Sequence, residues 1–202
     1  MRRAKIPNRL GVKGYAGGER WCTKFIDFKE ERKVAEACLE FLKLINAKVE
    51  IDPRPIIYLT KNETSEAEVC WGERSSSTKR IVLAPGGGFP EKCWGNPNFS
   101  HLTNHLLKNK DYQLCIIGSK EDKNRISAND SLQLTNLCGE LSLRQSAAMV
   151  SLSDFVVCNT SFCMHLAGAF KKPSLTLLGK WYDSAELHQK QWGYPESIVK
   201  GK

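Results

Sequence analysis

The chain has 202 residues, 41% of them hydrophobic and 26% charged, with a formal net charge of +8. That length allows one domain with a full core plus a smaller unit, and the balance is that of an ordinary soluble globular protein. The longest apolar runs, residues 114–117 and 175–178, are strand-length, which excludes a membrane helix of roughly 20 apolar residues. The basic N-terminus lacks the apolar stretch of a secretory signal, so a cytoplasmic location is expected.

The eight cysteines form no C-x-x-C pair, and Cys115 and Cys158 sit inside apolar strand-like runs. Reduced, mostly buried thiols are expected rather than a disulfide framework, and no spacing supports zinc. The positive charge suits an anionic partner: nucleic acid, acidic lipid or a phosphorylated substrate. No basic stripe interleaved with aromatics is present, so nucleic acid is not expected.

In chain order, residues 1–28 are Gly-rich and basic and read as irregular. In residues 28–45, Val34, Ala35, Cys38, Leu39, Phe41, Leu42 and Ile45 share one helical face. Residues 56–60, after Pro53 and Pro55, read as a strand or extended segment. Residues 61–79 are polar and Ser-rich and read as a linker or exposed crossing segment. Strand and helix then alternate. Strands are expected at 80–84, 112–117, 155–158 and 174–178, with a short extended piece at 136–139. Helices are expected at 97–109, with Phe99, Leu102, Leu106 and Leu107 on one side, weakly at 122–134, at 143–152 with Ser142 as N-cap, and at 161–170. Alternation with continuous apolar strands implies an α/β fold, a three-layer Rossmann-like parallel sheet covered on both faces. The expected division is a partial unit at 1–60, a linker at 61–79 and a ligand-binding domain at 80–202. In such sheets ligands bind beyond the carboxyl ends of the strands.

Four groups of residues fall in those strand-end loops. Pro85, Gly86, Gly87 and Gly88 directly follow a strand. Such a loop can approach a ligand closely and offer N–H groups to an anion, or simply make a tight turn. It is neither G-x-G-x-x-G nor a Walker A loop. Lys92, followed by Trp94, can place a point charge on a diphosphate or be a solvated lysine. Glu121, after Gly118 and Ser119, can accept ribose hydroxyls or favour a helix N-terminus, with Lys120 and Asp122 on either side. Asn159, Thr160 and Ser161 end a strand and open a helix, where free N–H groups favour phosphate. His165 in that helix reads equally as a ligand contact or a packed residue.

In order and spacing these residues resemble the family-9 glycosyltransferases, which include the lipopolysaccharide heptosyltransferases. The resemblance rests on Pro85–Gly88, Lys92-x-Trp94, Gly118-Ser119 with Glu121, and Leu137-x-Gly139-x-x-Ser142-Leu143. It continues through Asn159-Thr160-Ser161-Phe162-Cys163-Met164-His165-Leu166-Ala167, Pro173 and Leu177-Leu178-Gly179, about half of the chain. It implies the C-terminal half of a GT-B enzyme, with a nucleotide sugar, usually ADP-heptose, as co-substrate and no cofactor or metal. Donor-binding residues would be Gly86, Gly87, Gly88, Lys92, Glu121, Leu143, Asn159, Thr160, Ser161, Phe162 and His165. Lys92 would meet the diphosphate, Glu121 the ribose, and the loop of Thr160 to Phe162 the phosphates or sugar. Transfer would invert the sugar carbon and deliver it to a lipopolysaccharide-type glycan or a lipid-linked acceptor. Peripheral contact with the inner membrane surface, and a separate acceptor domain or chain, are further implied.

Two departures stand inside the pattern: Thr160 where the family has Asp, and Phe162 where it has Gly. Losing the carboxylate removes a holder of sugar hydroxyls, and Phe blocks close backbone approach. Residues 9–45, with Gly14-Tyr15 and Gly17-Gly18, look like the end of the family's acceptor domain and crossing segment. No carboxylate in residues 1–52 stands in a recognisable base motif. The alternative is therefore a non-catalytic nucleotide-sugar-binding module, a degenerate paralogue or half of a split enzyme.

Overall fold

The computed structural model describes residues 5–15, 17–48 and 52–201. It divides into two compact units, residues 1–54 with 187–192, and residues 55–186 with 193–202.

In the first unit, β1 (Leu10–Lys13) and β2 (Lys24–Asp27) pair in parallel, with Leu10 opposite Lys24 and Lys13 opposite Asp27. The segment expected to be irregular thus carries two strands. Helix α1 (Val34–Leu44) begins at the first residue of the expected apolar face, and just before it Arg32 bonds to Asp27 O and pairs with Glu40. Residues 187–192, most of α6 (Ala185–Trp192), group with this unit, and Gln191 donates to Glu30 O at 2.7 Å. The basic terminus at residues 1–4 and Glu50, one of the carboxylates considered as a base, lie outside the described residues.

The second unit is built on a six-stranded sheet in the order β5-β4-β3-β6-β7-β8. Its strands are β3 (Lys79–Ala84), β4 (Tyr112–Ile116), β5 (Leu134–Asn136), β6 (Phe155–Asn159), β7 (Ser174–Leu177) and β8 (Ser197–Lys200), and every pairing is parallel. The central strands β3 and β6 are apolar almost throughout because both faces are covered. On one face Val82, Ala84, Val156 and Cys158 meet α2 (Lys61–Trp71), α4 (Leu143–Ser151) and α5 (Phe162–Ala169) through Trp71, Met149 and Met164. On the other, Ile81, Leu83, Leu114 and Ile116 meet α3 (Asn96–Leu106) through Phe99 and Leu102. This is the three-layer α/β sheet that the alternation implied.

Three expectations change. Residues 61–71 are helix α2, not linker: Thr60 and Glu63 form a reciprocal capping box, and Ala67 and Trp71 are buried. The Trp71 indole donates to Met149 O at 3.2 Å. Residues 122–134 form no helix. Their backbone groups are taken by side chains instead: Ser127 N–H donates to Ser100 Oγ, Asn129 N–H to Asn104 Oδ1, and Asn136 Nδ2 to Lys123 O. The short strand lies at β5, two residues earlier than the expected piece at 136–139 and overlapping it at Asn136. Residues 56–60 pair with no strand, whereas α6 and β8 went unanticipated.

All eight cysteines are free; Cys115, Cys138, Cys158 and Cys163 are buried, while Cys38 and Cys70 are exposed on α1 and α2. Among the described residues no helix is long and apolar enough to cross a membrane.

Candidate functional site

The loops at the carboxyl ends of β3, β4 and β6 surround a cavity of about 860 Å³. Gly86, Gly87, Gly88, Lys92, Leu143, Thr160, Ser161, Phe162 and His165 all border it. Two of the expected residues, Asn159 and Glu121, do not.

Asn159 ends β6 fully buried and holds the glycine loop in place. Its Nδ2 donates to Pro85 O at 2.7 Å and Gly86 O at 3.3 Å, and its Oδ1 accepts from Trp94 N–H at 2.9 Å. Its amide is thus spent on protein backbone, which makes it a positioning residue.

Glu121 is exposed on a 3-10 turn (Lys120–Asp122), and hydrogen bonds to its own backbone and to Ser119 hold its carboxyl below the usual range. The carboxylate bordering the cavity belongs to Asp122. Ser119 and Asp122 form a capping box that folds Asp122 inward, with Oδ2 accepting from Ser119 N–H and Oγ at 2.8 Å each. Arg125 pairs with Oδ1 at 2.5 Å. Asp122 lies so close under Gly86 and Gly118 that a Cβ on either would collide with it. The two glycines are needed for that approach.

Lys92 ends a short 3-10 turn (Pro90–Lys92), with its ammonium 4.8 Å from the Phe89 ring centroid and 5.9 Å from that of Tyr182. The Tyr182 hydroxyl donates to Thr160 Oγ1 at 3.4 Å, so one aromatic residue touches both the lysine and the loop after β6. Ser161 is extended and α5 begins at Phe162, so its first N–H groups open at the cavity. Phe162 and Leu143 are 46% and 71% exposed and put apolar surface on the rim. His165 lies within hydrogen-bond distance of the Tyr194 hydroxyl, 2.8 Å from Nδ1, and burial pushes its pKa down. Asp122 was named beforehand only as the neighbour to which the Glu121 assignment could shift, although the Ser-x-x-Asp spacing of a capping box favoured it; Tyr182 and Tyr194 were not singled out.

The cavity therefore combines glycine-loop and helix N-terminal amides, one lysine and one carboxylate paired with an arginine, a set suited to a phosphorylated ligand with hydroxyls. The description Glycosyltransferase family 9 (heptosyltransferase) matches residues 2–185, a span that contains every residue bordering the cavity.

The chain belongs to glycosyltransferase family 9.

It is 27% identical over 138 residues to lipopolysaccharide heptosyltransferase 2 of Salmonella typhimurium, covering 63% of this chain and 39% of that protein. Against lipooligosaccharide heptosyltransferase 2 of Haemophilus influenzae it is 28% identical over 198 residues, covering 87% of this chain and 55% of that protein. The chain thus spans from about two fifths to just over half the length of these curated relatives. Among solved structures, E. coli ADP-heptose lps heptosyltransferase II aligns with a TM-score of 0.71 at 22% identity, over 98% of this chain and 62% of that one. The family 9 glycosyl transferase of Veillonella parvula aligns with a TM-score of 0.72 at 17% identity, over 96% of this chain and 56% of that one. These likenesses establish the fold as that of the GT-B-like heptosyltransferases.

Proposed function

We propose that the cavity binds a nucleotide diphosphate sugar, with ADP-heptose the leading candidate, and that the protein takes part in transferring the sugar to a lipopolysaccharide-type glycan. The observation that carries this reading is the convergence of Gly86–Gly88, Lys92, and the Thr160 and Ser161 end of α5 on one space. The amides and the Lys92 ammonium meet the negative charge that builds on the departing diphosphate, so the reading requires no metal. Asp122 takes the ribose-facing role first assigned to Glu121, with Arg125 holding it oriented. Transfer would proceed by direct displacement with inversion, the acceptor hydroxyl losing its proton to a carboxylate not yet assigned. A separate acceptor domain or chain and contact with a membrane surface belong to the same proposal.

A second reading, binding without transfer, is favoured by Phe162. Its ring stands on the rim where a glycine would leave the backbone open. Calorimetry with ADP and ADP-heptose, followed by a transfer assay on lipopolysaccharide acceptor, separates the readings. ADP binding that weakens about tenfold in Lys92→Ala supports the site, as loss of one charge-assisted contact predicts. Binding with no turnover selects the module, and no binding of either ligand removes both.

A further inference from the structure

His165 borders the cavity half-buried, yet its Nδ1 is turned toward a buried residue, Tyr194, in the segment between α6 and β8. Tyr194 is 6% exposed and held at both backbone ends by Ser197. Its N–H donates to Ser197 Oγ at 2.9 Å, and its carbonyl accepts from Ser197 N–H at 3.0 Å and Oγ at 2.8 Å. The phenol ring lies flat on α5 at Gly168, where any Cβ would collide with the ring carbons. It stands edge to face with the imidazole, centroids 6.0 Å apart at 89°. Backbone, ring and hydroxyl are all fixed, so the 2.8 Å contact to Nδ1 is imposed on His165 rather than chosen by it.

That contact has a direction. A neutral imidazole carries one N–H and one bare nitrogen, and the partner of one nitrogen decides the state of the other. A phenol, with a pKa of about 10, gives up a proton far more readily than a neutral ring N–H, so the hydroxyl donates and Nδ1 accepts. The ring proton must then reside on Nε2. We propose that Tyr194 is a positioning residue that locks His165 in the Nε2–H tautomer, making the imidazole a neutral hydrogen-bond donor toward the diphosphate of a ligand in the cavity. The opposite tautomer would present a bare lone pair to phosphate oxygens, which repels rather than binds. The ligand half of this inference rests on the nucleotide-sugar reading; the tautomer half does not.

Long-range proton–nitrogen correlation spectra of the full chain, labelled with nitrogen-15 and assigned with His165→Ala, read the tautomer directly. The expected result for the unliganded protein near neutral pH is a protonated Nε2 and a bare Nδ1. Tyr194→Phe keeps the ring on Gly168 and removes only the hydroxyl. It is expected to give a mixture of tautomers and an ADP affinity lower by about three- to tenfold, the range of one net hydrogen bond. A purely structural role for Tyr194 would leave the nitrogen shifts of His165 unmoved. Protonated Nδ1 in the wild type, or an unchanged tautomer in Tyr194→Phe, overturns the proposal, and the first holds even if the variant does not fold. Wild-type protein with the expected tautomer but no ADP binding would overturn the ligand half together with the nucleotide-sugar reading, and leave the tautomer lock standing.

Discussion

The two units contain the same element, parallel strands joined through helical or turn segments, but support it by different means. Among the described residues 5–48, Ile26 is the one apolar side chain that is buried. The β1–β2 pair is held by backbone bonds and by surface contacts such as Lys24 Nζ to Leu44 O at 2.7 Å. The six-stranded unit instead packs two apolar clusters, one on each sheet face, with Phe99, Leu83 and Leu114 fully buried. Hydrogen bonds fix geometry in both, but burial supplies most of the favourable free energy, so the same pairing should be far more stable where it is covered. The candidate site lies wholly within the covered unit, on loops that follow its buried central strands.

This contrast predicts its own largest effect. Phe99→Ala should cost about 3–5 kcal/mol in urea unfolding, the usual range for emptying a packed aromatic site. Ile26→Ala should cost less than half as much, and the β1–β2 amides should exchange with solvent faster than those of β3 and β6. Equal losses from the two substitutions would break the comparison.

A smaller effect should separate residues that hold the cavity from those that only adjoin it. Asn159→Ala strands the Trp94 N–H and the Pro85 carbonyl in the interior and should cost about 2–3 kcal/mol. ADP affinity should fall with it, because the glycine loop loses its anchor. Asp122→Asn should lower ADP affinity about tenfold, whereas Glu121→Gln should leave it within about twofold. Comparable losses from both carboxylate variants, measured by calorimetry, would return the assignment to Glu121.

What was legible follows the strength of the local pattern. The strands β3, β4, β6 and β7 were plain because apolar runs bounded by turn residues have few other readings. Helix α4 was plain because Ser142 and Gln145 cap it reciprocally. Helix α2 has the same device in Thr60 and Glu63, but it buries only Ala67 and Trp71, and the polar, Ser-rich stretch at 75–77 that follows it makes the whole segment read as a loop. The segment at 122–134 failed in the opposite direction: its modest helical pattern lost to Ser and Asn side chains that bind its backbone from α3. At the site, the glycine loop, Lys92 and the start of α5 were found because their roles are set by neighbours in sequence. Asp122 rather than Glu121 depends on which way one turn folds, and Tyr194 meets His165 across a separation of 29 residues, which no local spacing encodes.

The smallest effect expected concerns how α2, the helix mistaken for linker, is fastened to α4. Arg144 on α4 binds the Glu63 carboxylate and donates to Tyr58 O at 2.7 Å, while Glu63 also accepts from Thr60 N–H at 2.8 Å. These bonds, Arg144 first, hold the Glu63 pKa at about 2, below its ordinary 4.5. A carboxylate depressed in the folded state stabilises the protein above its unfolded pKa, and that contribution is lost as pH falls through the folded one. The loss should therefore run from about pH 4.5 down to about 2. Glu63→Gln removes the charge but keeps an N3 residue able to complete the capping box, so the helix itself should persist. The urea midpoint of the variant should fall less than that of the wild type across this window. Because the pair lies at the surface with Arg144 largely exposed, the difference should be small and should shrink further at high salt. An identical acid response in the two proteins would mean that the Glu63–Arg144 ion pair contributes nothing to holding α2 in place.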